Sequence, residues 1–239
     1  MPLQLPSRAT VLFQGDSITD ADRVIHPTDE LGHGYAGMSA ELLRTAHPDS
    51  DFTFVNRGVS GNRIADLRAR WHEDGVALDP DLVSVMIGVN DTWRRYEGGV
   101  LTTTEAYEDD YRHILTRIRE SSGAQLLLIE PFLVPVRPEQ WAWREDLDPR
   151  IHVVRRLAEE FGAELLAADG LLNQAARSAG GAAHIAGDGV HPTPFGHRVL
   201  AEAWVELVSG GAVPGPADGA TGGVLDGAAA RVTAPVLDR

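Results

Sequence analysis

Five short apolar runs, each cut off by Gly, Pro, Asp or Asn and separated by longer amphipathic stretches, constrain the fold of this chain more than any other feature. They are ATVLFQ (9–14), DFTFVN (51–56), LVSVMIG (82–88), AQLLLIE (124–130) and AELLAA (163–168). Short runs bounded in this way read as strands covered on both faces, as in a parallel sheet. The intervening segments carry helical periodicity. Residues 35–46 place Met38, Leu42 and Leu43 near one face, and 103–121 aligns Tyr107, Tyr111, Ile114, Leu115 and Ile118. Residues 148–162 repeat the pattern with Ile151, Val154, Leu157, Ala158 and Phe161, closed by Gly162, and 194–210 opens on Pro194 and ends at Gly210. Strand and helix alternate about five times, which predicts an α/β fold: an open parallel sheet with helices on both faces. In such sheets the loops at the carboxyl ends of the strands form the ligand crevice.

Composition narrows the partners. The 239 residues include 43% hydrophobic side chains, enough for a sizeable core. Acidic residues outnumber basic ones by 35 to 21, a net charge of −14, which argues against nucleic acid or an anionic membrane as partner. Cysteine is absent, removing disulfides, a thiolate nucleophile and sulfur-ligated metals from consideration. The first residues show no basic flank followed by a long apolar stretch, so the expected location is cytoplasmic. Residues 1–210 read as one domain. The Gly/Ala/Pro-rich remainder, 211–239, reads either as a flexible extension or as a segment lying against the domain or a neighbouring subunit.

Two segments near opposite ends carry candidate chemistry: FQGDSIT (13–19) and DGVHP (188–192). Ser17 follows the first strand and supplies a hydroxyl that needs a base to become nucleophilic. His191 supplies an imidazole able to act as base and then acid near neutrality. Asp188, three residues earlier, can reach one ring nitrogen through a turn and fix the tautomer. Taken alone, Ser17 also reads as a helix cap and Asp188 with His191 as a structural turn. Gly58 and Asn90 fall after the second and third strands, and with the Ser17 N–H they make candidate donors for an oxyanion. A loop glycine and a turn asparagine have structural readings too.

The nine histidines form no HExxH or closely spaced ligand set, and neither GxGxxG nor GxxxxGK[ST] occurs; no metal or cofactor is expected. Arg63, Trp93 and Arg94 fall near the expected crevice, and Trp141 and Trp143 lie in the connection after the fourth strand. They are candidate sugar contacts, with packing and surface ion pairs as the alternative.

Four ordered blocks, GDSITD (15–20), NRGVSGNR (56–63), IGVNDTW (87–93) and DGVHPT (188–193), resemble the SGNH family of GDSL-type esterases and lipases over residues 9–208. The leucine of GDSL is isoleucine here. The resemblance implies a three-layer flavodoxin-like α/β/α sandwich around a five-stranded parallel sheet. It also implies a cofactor-independent serine esterase with Ser17, Asp188 and His191 as catalytic residues and Ser17, Gly58 and Asn90 around the oxyanion. The strings SGNRIADLRARW (60–71), PDLVSVMIGVNDTWR (80–94) and EPFLVPV (130–136) are similar to intracellular acetyl-xylooligosaccharide esterases. That similarity implies removal of acetyl groups from short xylo-oligosaccharides, often by a homo-oligomer. Alternatives are a broad short-chain esterase, a lysophospholipase or thioesterase of the same family, and, in a different class, a noncatalytic carbohydrate-binding domain.

Overall fold

The computed structural model describes residues 3–23 and 31–210; the expected extension, 211–239, lies outside the described residues. Strands β1 (Arg8–Gly15), β2 (Asp51–Asn56), β3 (Leu82–Met86), β4 (Gln125–Ile129) and β5 (Glu164–Leu166) pair in parallel in the order β2-β1-β3-β4-β5. Helices α1 (Ser17–Asp20), α2 (Tyr35–Ala46), α3 (Ile64–Ala69), α4 (Trp71–Asp74), α5 (Val89–Gly98), α6 (Thr104–Ser121), α7 (Arg144–Phe161), α8 (Ala168–Ser178) and α9 (Pro194–Ser209) follow and flank the strands. This is the expected three-layer flavodoxin-like sandwich. Strand order reverses between β1 and β3, the place where open α/β sheets bind ligands.

Alternation along the strands divides the interior in two. Val11 and Phe13 of β1 join Leu82 and Met86 of β3 on the face covered by α2 and α9, whereas Leu12, Val83 and Val85 face the layer containing α3, α6 and α7. Phe13 lies 5.1 Å from the Trp204 ring and 5.9 Å from Tyr35, so β1 and α9 share one aromatic cluster. The Trp204 Nε1–H donates to Ser84 Oγ at 2.9 Å, which satisfies the polar atom of each buried side chain. Each large apolar side chain buried this way contributes roughly 1.5–3 kcal/mol relative to exposure.

The expected strands and long helices recur with boundary shifts. Helix α7 begins at Arg144, ahead of the start expected at 148, with Pro149 inside it. Burial of Leu147 and the Asp146–Arg150 ion pair, 2.7 Å, hold that first turn together. Helices α5 and α8 were not expected, and Asn90 accordingly sits in the first turn of a helix rather than in a loop. Among the described residues, no helix is long and apolar enough to cross a membrane.

Candidate functional site

Strand β1 ends at Gly15 and the chain turns at once into α1, one helical turn. Asp16 caps it, its Oδ1 accepting the Ile18 N–H at 3.0 Å, and the Ala21 N–H donates to the Ser17 carbonyl at 2.8 Å. The turn closes through two consecutive left-handed residues, Ala21 (φ 43°), at a cost of about 1–2 kcal/mol, and Asp22 (φ 56°), a residue type that enters this region more readily. Both line the same cavity as Ser17, so the strain is placed at the mouth of the site.

The Ser17 hydroxyl lies 2.9 Å from His191 Nε2, and His191 Nδ1 lies 2.7 Å from Asp188 Oδ2. The second carboxylate oxygen of Asp188 accepts the backbone N–H groups of Val190 (2.9 Å) and His191 (2.7 Å). Partial burial alone would raise the Asp188 carboxyl, but the imidazole and these two backbone donors outweigh it and hold the group well below the usual carboxylate range. A carboxylate only accepts, so Nδ1 carries the proton and Nε2 presents its lone pair to the Ser17 O–H. The bond to Asp188 also raises the His191 pKa above 6.5, against the opposing effect of burial.

A second layer fixes this loop. Gln140 is fully buried, and its Nε2 donates to the Asp188 carbonyl at 2.6 Å. Its Oε1 accepts from the Val136 (2.9 Å) and Arg137 (3.1 Å) N–H groups. Gly189, at φ +91°, passes so close that a Cβ would meet the Gln140 amide at 2.7 Å. The Gly189 carbonyl accepts the Val134 N–H at 2.9 Å. The local sequence marks Gln140 only as a capping residue three positions after Arg137; its link to the Asp188 loop, 48 residues away, leaves no local signal.

The expected oxyanion donors divide. Asn90 lines the cavity, and one of its amide hydrogens donates to the Asn62 carbonyl at 3.1 Å, leaving the other available. Gly58 requires a correction. Its N–H donates to Asn56 Oδ1 at 2.8 Å, and it is absent from the cavity wall. Gly58 is needed for close packing, since a Cβ there would lie 2.4 Å from the Asp20 backbone nitrogen. Three residues on, Gly61 does line the cavity, and its N–H has no acceptor among the described residues; its carbonyl accepts from Arg94 Nη2 at 3.0 Å.

The remaining candidates are also sorted by the fold. Trp93 and Arg94 line the cavity, and the Trp93 ring packs 5.7 Å from the His191 ring. Trp143 is buried behind Trp93, 5.7 Å away, and stacks on Tyr96. Arg63 pairs with Asp66 at 3.2 Å at the start of α3, and Trp141 is exposed to solvent; neither lines the cavity. The cavity measures about 710 Å³ and is also bounded by Ser60, Glu97 and His197.

Beneath it, burial pushes the Asp16 carboxyl up to about 7, against the Ile18 N–H and His191, which lower it. Burial likewise pushes Asp91 up to about 6, where it caps α3 by accepting the Ile64 N–H at 3.1 Å. The arrangement therefore joins a hydroxyl, a base oriented by an ionised carboxylate, and hydrogen-bond donors around one cavity. That is equipment for acyl transfer.

The chain is 35% identical to an acetylxylan esterase of Geobacillus stearothermophilus, over 86% of this chain and 96% of that protein. Among solved structures, a putative GDSL-like lipase from Parabacteroides merdae superposes with TM-score 0.83 at 33% identity, covering 87% of this chain and 99% of that one. Axe2, an acetylxylan esterase from Geobacillus stearothermophilus, superposes with TM-score 0.77 at 34% identity, covering 84% and 94%. Residues 13–199 match the GDSL-like lipase/acylhydrolase family, and the chain belongs to it, as a serine carboxylester hydrolase.

Proposed function

We propose that this esterase removes acetyl groups from short acetylated sugars, xylo-oligosaccharides foremost, through an acyl-enzyme. The observation that carries the mechanism is the unbroken relay from the Ser17 hydroxyl through His191 to Asp188 at the edge of a polar cavity. Ser17 Oγ attacks the ester carbonyl while His191 Nε2 takes its proton. The Ser17 N–H, the second Asn90 amide hydrogen and, in place of Gly58, the Gly61 N–H stabilise the oxyanion; losing one such donor costs about 3–4 kcal/mol in the barrier. The tetrahedral adduct collapses as the imidazolium protonates the leaving alcohol. Water, activated by His191, then releases acetate and restores Ser17.

The sugar assignment is supported by similarity to acetylxylan esterases and by a cavity edged with Trp93, an aromatic surface of the kind sugars stack on, beside the polar groups of Arg94, Ser60 and Glu97. The test is acetate release from defined acetylated xylo-oligosaccharides, set beside simple acetate, butyrate and octanoate esters. The expected result is highest kcat/KM on the acetylated sugars. An optimum at octanoate, or no turnover of acetylated sugars, overturns the substrate assignment. Binding of acetylated sugar without acetate release would overturn the catalytic one.

A further inference from the structure

The cavity wall contains a second imidazole that the reaction above does not use. His197 lies in the first turns of α9, six residues after His191. Its Nδ1 accepts the Tyr35 N–H at 3.1 Å. Tyr35 opens α2, whose N-cap, Gly34, has no side chain to satisfy that helix end, so the imidazole supplies an acceptor for it. A backbone N–H can only donate, so Nδ1 holds a lone pair and the ring proton sits on Nε2. The Cε1–Nδ1 edge is packed against the start of α2: a Cβ on Gly34 would meet these atoms at 2.9 and 3.1 Å. Nε2 has no partner among the described residues, while the ring borders the cavity.

This ring also resists charging. Burial, reinforced by nearby His191, lowers its pKa to about 4. It therefore stays neutral while His191 cycles through its imidazolium form, and does not compete for the Ser17 proton. A neutral donor of fixed direction suits an uncharged oxygen such as a hydroxyl or ether. The donors assigned to the oxyanion come from α1, α5 and the loop after β2; His197 comes from α9 and is left for another part of the ester.

We propose that His197 is a hydrogen-bond donor, through Nε2–H, to an oxygen of the sugar that carries the scissile acetyl group. This assignment rests on the sugar-ester reading. Two substitutions separate the donor from its structural contact. His197→Asn places an amide oxygen where Nδ1 accepts from Tyr35 but removes the cavity donor. His197→Gln extends an amide N–H toward the Nε2 position and gives up the acceptor.

The readout is the ratio of kcat/KM on an acetylated xylo-oligosaccharide to kcat/KM on 4-nitrophenyl acetate, with thermal unfolding alongside. The ratio should fall about five- to tenfold in the Asn variant, chiefly through KM, as expected for one neutral hydrogen bond, and recover in the Gln variant despite a lower melting temperature. An unchanged ratio in the Asn variant, or an equal fall in both variants, overturns the proposal while leaving the sugar reading intact. Should the Asn variant not fold, a fall of twofold or more in the Gln ratio overturns it and a retained ratio supports it. If the unaltered enzyme cleaves 4-nitrophenyl acetate but no acetylated sugar, the sugar reading falls and this assignment with it.

Discussion

Gln140 touches no reacting atom in the proposed mechanism, yet its replacement should be felt at both the melting temperature and the turnover number. In Gln140→Met the side chain keeps its length and approximate volume, so no large cavity opens. Three hydrogen bonds disappear: one to the Asp188 carbonyl and two from the Val136 and Arg137 N–H groups. At about 1 kcal/mol net each the loss is about 3 kcal/mol, and the partial exposure of residues 136 and 137 lets water recover some of it. A net loss of about 2–3 kcal/mol corresponds to a fall of roughly 4–12 °C in Tm for a domain of this size. The Asp188 carbonyl would then lack the donor that fixes the turn into Gly189, and the imidazole follows that turn. Small displacements of a reacting group reduce rates by as much as about 100-fold, so kcat should fall at least tenfold. Differential scanning fluorimetry and steady-state hydrolysis of a chromogenic acetate ester measure both. A lowered Tm with unchanged kcat would refute the reasoning, because it would show that the loop keeps His191 in place without Gln140.

Ser17→Ala should retain the fold by circular dichroism and lose nearly all ester turnover; full activity would remove Ser17 from the mechanism. The kcat/KM profile should rise with pH through a midpoint above 6.5, because His191 must be neutral to accept the proton and Asp188 raises its pKa. Asp188→Asn should move that midpoint down toward 6.5 and lower kcat by up to about 10⁴-fold, the loss known for this change in a serine protease triad. The signs for stability are opposite within the pair. The depressed Asp188 pKa favours the folded state above the ordinary carboxylate range and is lost as pH falls through its folded value. The raised His191 pKa favours the folded state below about 6.5 and is lost as pH rises through its folded value. Gly58→Ala should lower both Tm and kcat, because its Cβ would strike the backbone of α1 at 2.4 Å; wild-type stability would contradict that packing.

The sheet was legible from its short apolar runs between chain-breaking residues, and the long helices because their apolar patterns are periodic over several turns. The one-turn α1 and the short α3 were not, because they are too short to show a period and contacts distant in sequence help to hold them. Asp91 caps α3 from 27 residues away, and the Asp20 carboxylate reaches the Ser60 hydroxyl across 40. The apolar pattern from Ile151 onward sets the expected start at 148, whereas the buried Asp146–Arg150 pair draws the helix farther back and leaves Pro149 inside it. The NRGVSGNR block shows the limit most clearly. Sequence reading selects Gly58 as the N–H donor, whereas the glycine three residues on, Gly61, lines the cavity. The asparagine two residues before Gly58 was the available signal, since its side chain can turn back onto that N–H and does. His197 gave no sequence signal beyond being a histidine, because the backbone group that fixes its tautomer lies 162 residues earlier.

The aromatic cluster shared by β1 and α9 has a temporal consequence. Ser17 and His191 are 174 residues apart, and the helix that follows His191 is anchored by Trp204 against Phe13. A nascent chain would display its hydroxyl long before the imidazole is synthesised, and the loop bearing that imidazole would find its place only when α9 docks. Ester hydrolysis is thus a timer for completed folding: in a refolding experiment, acetate release marks the moment when the two ends of the domain meet.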